Sequence, residues 1–118
     1  IAQNHHVFLS PSVHAKDGDC EGGAPMILVD MSALGLLIIS STHCDIPTVV
    51  RAGETGLLAP EGDIQGLVSH LEWAYDHPEA WMPMQDAARK RIEKEYNARI
   101  QGERLSMIYE DLLSGGKE

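Results

Sequence analysis

Three short apolar runs, each closed by turn residues, constrain this chain more than any other feature. Val7-Phe8-Leu9 ends in Ser10-Pro11-Ser12 and reads as a buried strand entering a loop. Leu36 to Ile39 is a continuous β-favouring run and reads as a second buried strand. Leu57-Leu58-Ala59 is a third, ended by Pro60. Residues 13–23 between the first two runs are rich in Gly, Asp and Lys and read as loop. Pro25 suits the first turn of a helix, where its missing N–H costs nothing. That helix should run to about Leu34 and stop at Gly35. Pro47 opens a short helical turn through about Val50, and Ala52-Gly53-Glu54-Thr55-Gly56 is turn chemistry, with Gly53 and Gly56 supplying positive φ.

Strand, helix, strand, helix, strand is the rhythm of an α/β domain with a parallel sheet. Three strands make a small sheet, and one edge would lack a neighbour. The fold class is therefore α/β, a partial Rossmann-like sheet: the second half of such a domain, without the first. Helices follow. Asp63 is a good N-cap, and Ile64, Leu67, Val68, Leu71 and Ala74 follow at helical spacing. His77-Pro78 starts another helix, which Pro83 should kink early; Met84, Ala87, Ala88, Ile92 and Tyr96 line one face. Asn97 caps a last helix with the stripe Leu105, Ile108, Tyr109 and Leu112, and Ser114 to Glu118 should fray.

At 118 residues the chain is one domain at most, long enough for a real core. The longest run of apolar residues and glycine, Ala33 to Ile39, is too short to cross a bilayer, and no secretory signal is visible. Ile1 fits a processed or excised piece. The net charge of −9 disfavours nucleic acid and anionic membranes, whose binding relies on Lys and Arg. Residues 1–88 hold only Lys16 and Arg51 against twelve acids. Cys20 and Cys44 are too few for a disulfide scaffold and suit a reducing, cytoplasmic compartment.

The richest chemistry lies in Asp17-Gly18-Asp19-Cys20-Glu21-Gly22-Gly23-Ala24-Pro25, between a strand's carboxyl end and a helix start. In open α/β sheets ligands sit there. Gly22 and Gly23 allow close backbone approach, and the first amides of the helix, near Met26 and Ile27, favour an anion. Glu21 beside them can accept hydrogen bonds from sugar hydroxyls. Asp30, further along the helix, can accept two hydroxyls of a ribose. Together they suit a nucleotide-sugar.

Glu21-Gly22-Gly23-Ala24-Pro25 followed by Asp30 resembles the donor-site signature of GT-B glycosyltransferases, glycosyltransferase family 4. Val7 to Ser12 looks like the strand before it. Ile46-Pro47 with Val49-Val50 looks like the turn between, and Gly53-Glu54-Thr55-Gly56-Leu57-Leu58 with Pro60, Gly62 and Asp63 like the next landmark. The likeness runs in order from about residue 7 to 113, and its forms look most like bacterial polysaccharide-building members. It implies Glu21 as the catalytic-site acid on the transferred sugar. It also implies Gly22, Gly23, Ala24, Pro25 and Met26 along sugar and diphosphate, and Asp30 on the ribose. Eight residues separate the two acids, one more than usual, and Asp30 replaces the usual Glu.

The resemblance further implies a retaining transfer from a nucleoside diphosphate sugar to a saccharide or lipid-linked acceptor hydroxyl, with no metal and no other cofactor. Residues 1–96 would be a partial donor-binding domain, and 97–118 a crossover helix and frayed tail. An N-terminal acceptor domain would be missing, and the fragment alone inactive. The uncovered sheet edge and helix stripe imply self-association.

Other readings stand beside this one. A non-enzymatic α/β ligand-binding or interaction module would leave Glu21 and Asp30 solvated, with Asp30 pointing away from the cleft. Asp17, Asp19, Glu21 and Gly22 match part of a calcium loop, but Leu28 stands where the bidentate acid belongs. His5, His6, His14 and Cys20 lack zinc-site spacing. His43 follows a strand end, for a ligand or for packing, and a Cys20/His43 nucleophile pair is imaginable. Trp73, Trp81, Met82 and Met84 read as helix packing, and Arg89-Lys90-Arg91 as a solvated helix face.

Overall fold

The computed structural model describes residues 4–20, 23 and 25–115. Three parallel strands, β1 (Val7–Ser10), β2 (Leu37–Ser41) and β3 (Leu57–Ala59), lie in the order β1-β2-β3. Val7 pairs with Leu37, and Ile39 with Leu57. Helix α1 (Met26–Ala33) joins the first two strands, and the single turn α2 (Ile46–Val49) joins the second to the third. Then follow α3 (Ile64–Asp76), a 3-10 turn at Pro78–Ala80, α4 (Trp81–Glu95) and α5 (Ala98–Ser114). The α/β fold with a parallel sheet and trailing helices is the one the apolar runs imply.

All five residues of β2 are buried, because helices cover both faces of the sheet. On one face Ile38 packs with Leu28 and Val29 of α1, Ile46 and Val49 of α2, Val50 beyond it, and Ile92 of α4. On the other, Leu37 and Ile39 pack with Leu57, Ala59, and Leu67 and Ala74 of α3. The alternation of neighbours along one strand is the two-residue period of the pleat.

The punctuation acts largely as expected. Gly35 has φ +85° just past α1; its N–H bonds Ser32 O, and the Leu36 N–H bonds Met31 O, the paired closure that a left-handed residue permits. Asp63 accepts the Gly66 N–H at 2.9 Å, and Asn97 accepts from Arg99 at 3.0 Å. Gly53 has positive φ, but Gly56 serves differently. A Cβ there would lie 2.7 Å from Val50 Cγ1 and 2.8 Å from Ile38 O, so glycine lets β3 begin against β2.

Three details correct the sequence reading. The helix expected from His77-Pro78 is divided: a 3-10 turn precedes α4, and Pro83 falls in the first turn of α4, where no intrahelical bond is lost. Met84 packs under the sheet, while Met82 is exposed. Arg91 is not on a solvated face. Its Nη1 donates to Val49 O at 3.1 Å, Nη2 to Thr48 O at 2.5 Å and Nε to Glu95 at 3.0 Å, while Tyr96 Oη also donates to Thr48 O. Together they satisfy the carbonyls that end α2.

Helix α5 projects. None of its described residues is buried, and the radius of gyration, 17.2 Å, exceeds the roughly 13.5 Å of a compact chain this long. Leu105, Ile108, Tyr109 and Leu112 stand exposed along it.

Candidate functional site

Three loops meet at the carboxyl edge of the sheet: the one after β1, the turn after β2 and the one after β3. In open α/β sheets ligands bind outside this carboxyl edge. Two buried hydroxyls at the end of β2 hold the first loop. Ser40 Oγ donates to Ser10 O at 2.7 Å, and Ser41 Oγ to Ser12 O at 2.5 Å. These serines are what a central strand needs at an end that must bind loop backbone rather than pack on a helix.

The first loop leads toward α1. Gly18 (φ +84°) turns it, with Gly18 N–H on Ala15 O and Ala15 N–H on Asp19 O. Asp17 Oδ1 accepts the Asp19 N–H, and Asp19 Oδ1 the Cys20 N–H. These carboxylates serve their own loop as turn-forming acceptors, which argues against the calcium reading. Glu21, Gly22 and Ala24 lie outside the described residues. Gly23 lies beside the turn after β2, since a Cβ on it would be 4.0 Å from Asp45 Oδ2. Pro25 caps α1 in an extended conformation, and no side chain bonds the helix start. Its first amides thus face the same edge, the arrangement that favours an anion.

Along α1 the buried residues are Leu28, Val29 and Ser32, which set the opposite side outward. Asp30 is exposed there, with Met26 (70% exposed) and Ile27. No described side chain bonds the Asp30 carboxylate. The structure thus places Gly23, Pro25 and Met26 at the helix entrance and Asp30 one turn on, exposed.

A second group went unnoticed in sequence. Glu61, after β3, accepts the His14 N–H at 2.6 Å and the His14 Nδ1–H at 2.8 Å through Oε1. Its Oε2 accepts the His43 Nδ1–H at 3.1 Å. The His14 amide above all, then the two imidazoles, hold the Glu61 carboxyl down at about 2. The ionised carboxylate fixes the His43 tautomer, so Nε2 is an acceptor and receives a hydrogen bond from the Cys44 S–H, with Sγ at 3.3 Å. His43 is fully buried, with its ring edge-on to His14 at 4.6 Å between centroids. It therefore braces Glu61 and Cys44 rather than reaching a ligand.

The imagined Cys20/His43 pair is thus replaced by Cys44 on His43. Burial first, then Cys20 and the nearby acids, push the Cys44 thiol up from 9.0, the reverse of an activated nucleophile. Cys44 itself has φ +44°, an uncommon value for a side-chain-bearing residue, at the tight exit from β2. Groups able to hold a metal are His14 with Cys20 and Cys44, and His14 with His43 and Glu61. The signal for Glu61 was an acid between Pro60 and Gly62, just past a strand, flanked by the residues the sequence did single out.

A family model for glycosyl transferases group 1 matches residues 1–77. The chain is 40% identical over 106 residues to the amylovoran biosynthesis glycosyltransferase AmsK of Erwinia amylovora, covering 90% of this chain and 26% of that protein. It is 33% identical over 107 residues to the putative colanic acid biosynthesis glycosyltransferase WcaL of Escherichia coli K12, with the same coverage. The chain therefore spans about a quarter of the length of these relatives. Among solved structures, a sucrose-phosphate synthase from Thermosynechococcus elongatus superposes with a TM-score of 0.70 at 21% identity, over 78% of this chain and 23% of that one. That likeness is one of fold, the GT-B type of α/β architecture.

Proposed function

The chain belongs to the glycosyl transferases group 1 family, and from that premise we propose that it carries the donor side of a retaining glycosyltransferase. The reaction moves a sugar from a nucleoside diphosphate to an acceptor hydroxyl on a saccharide or lipid-linked acceptor. The relatives named for amylovoran and colanic acid biosynthesis support a role in polysaccharide or glycoconjugate synthesis, which we place in the cytoplasm. Glu21 contacts the transferred sugar, Gly22, Gly23 and Ala24 pass close to the sugar and diphosphate, and Asp30 holds the ribose.

The observation that carries this reading is the entrance of α1. A glycine beside the β2 turn, an uncapped helix start at Pro25 and Met26, and an exposed, unbonded carboxylate one turn on lie together at the sheet's carboxyl edge. Backbone amides suit a diphosphate, and a carboxylate suits vicinal hydroxyls. The carboxylate of Asp30 is one methylene shorter than the family's usual Glu, and the loop before it one residue longer, so the ribose sits closer to the helix. Residues 1–88 hold only Lys16 and Arg51 against twelve acids, too little positive charge to neutralise a diphosphate. That task and acceptor binding fall to the rest of a full-length enzyme. Residues 1–96 then form the donor-side unit and α5 crosses to the acceptor domain, so the chain alone is inactive and self-associates through α5.

An NMR titration with UDP-, GDP- and ADP-sugars, with calcium as control, tests this. Shifts at Gly23, Met26 and Asp30 with one nucleotide are expected. A response to calcium alone, centred on Asp17 to Gly22, would sink the proposal.

A further inference from the structure

Glycosyl transfer leaves a cluster at the same edge unused. One ligand atom from each of His14, Cys20 and Cys44 lies within 4.8 Å of the other two. No spacing in the sequence announces this set. The loop after β1 supplies His14 and Cys20, the turn after β2 supplies Cys44, and the fold joins them. Zinc bonds of about 2.0 Å to nitrogen and 2.3 Å to sulfur put tetrahedral ligand atoms about 3.3–3.8 Å apart. The set is within about 1 Å of that, with His14 already held by Glu61 and Cys20 on an exposed part of the loop.

The surroundings match. A histidine that binds a metal through one nitrogen commonly donates its other N–H to a carboxylate, which fixes the ring. His14 does so now, with Nδ1–H on Glu61 at 2.8 Å, which leaves Nε2 as its lone-pair nitrogen. His43 holds the far side of Glu61 and contacts Cys44 Sγ. The donor set also selects the ion. Two sulfurs and an imidazole favour zinc over magnesium or calcium, which take oxygen ligands.

The loop has a use for such an ion. Among the described residues, the backbone N–H hydrogen bonds of residues 15–20 close within the loop itself, and the Cys20 thiol reaches Cys44 on the β2 turn. Among the described residues, His14 on Glu61 and the Cys20–Cys44 thiol contact tie this loop to the rest of the edge, and an ion would replace that weak contact with metal–sulfur bonds. We infer that His14, Cys20 and Cys44 bind one zinc ion, with a water in the fourth position and Glu61 orienting His14. The ion clasps the loop to the β2 turn one residue before Glu21. Each thiol loses its proton to solvent as its sulfur bonds the metal.

The test uses the full chain, reduced and stripped of metal, titrated with cobalt(II) and then with zinc. One cobalt per chain is expected, with thiolate-to-cobalt charge-transfer absorption that one equivalent of zinc abolishes. Cys20→Ser and Cys44→Ser should each remove that absorption, and Glu61→Gln should weaken zinc binding about 10–100-fold. Asp17→Asn should leave it unchanged, with circular dichroism confirming each fold. If Cys44→Ser does not fold, Cys20→Ser, in an exposed loop, decides. Absence of the charge-transfer band overturns the inference, as does its persistence in Cys20→Ser. Loss of both thiols to a Cys20–Cys44 disulfide, with no metal retained, overturns it too.

Discussion

The carboxyl edge of the sheet and helix α5 have opposite relations to the rest of the chain. At the edge the buried polar groups are bonded: Ser40, Ser41 and His43 are buried, and no described buried side-chain polar atom lacks a partner. On α5 even apolar groups are unengaged, with Leu112 69% exposed. The edge obeys the rule that buried polar groups must be bonded, and it draws every bond from within the chain. The helix has an apolar stripe and no surface of this chain to set it on. The chain thus contains a loop edge whose buried groups are bonded, and a helix none of whose described residues is buried.

The sharpest way to break this contrast is to truncate one residue in each region. Ile38→Ala, between α1 and the sheet, should cost about 2–5 kcal/mol in denaturant unfolding. Leu112→Ala should stay within about 0.5 kcal/mol. Comparable losses at both positions would mean that α5 packs on this chain after all.

His43→Ala should cost about 1–3 kcal/mol, because it strips a donor from Glu61 and an acceptor from Cys44 in a buried setting. The same unfolding experiment reads it, and a neutral result would remove the bracing role given to His43. Arg91→Met should cost about 1–2 kcal/mol by leaving the Val49 carbonyl without its side-chain donor and Thr48 O with that of Tyr96 alone.

Arg91 also produces a pH effect. Its guanidinium holds the Glu95 carboxyl below the ordinary carboxylate range. A carboxyl depressed on folding stabilises the native state fully above its unfolded value and loses that contribution as pH falls through the folded one. The gap between the native chain and Arg91→Met should therefore narrow on acidification, as unfolding midpoints across an acid series would show. The smallest effect belongs to the arm. Ile108→Ser with Leu112→Ser should barely change stability, yet shift size-exclusion profiles toward monomer; unchanged profiles would remove α5 from self-association.

How much of this could be read from residues alone follows from the range of the interactions. The strands, the Gly35 stop and the Asp63 and Asn97 caps depend on neighbours a few positions away, and each was legible. Arg91 was misread because its acceptors lie 43 and 42 positions earlier, at Thr48 and Val49. Glu61 escaped for the same reason: its partners His14 and His43 are 47 and 18 residues away. Gly56 was legible as a glycine, but its reason, the approach to Ile38 and Val50, needed the sheet. The start of α1 at Pro25 and Met26 was legible too, because a strand-to-helix connection is itself local.

The central claim is that α1 presents a nucleotide-sugar site with Asp30 on the ribose. Isothermal titration of the nucleotide-sugar that shifts Gly23 and Met26, against the native chain and Asp30→Ala, tests it most directly. Loss of charge-assisted hydrogen bonds worth about 1.5–3 kcal/mol predicts an affinity about 10–100-fold weaker, with an unchanged fold. Equal affinity for the two chains would contradict the account.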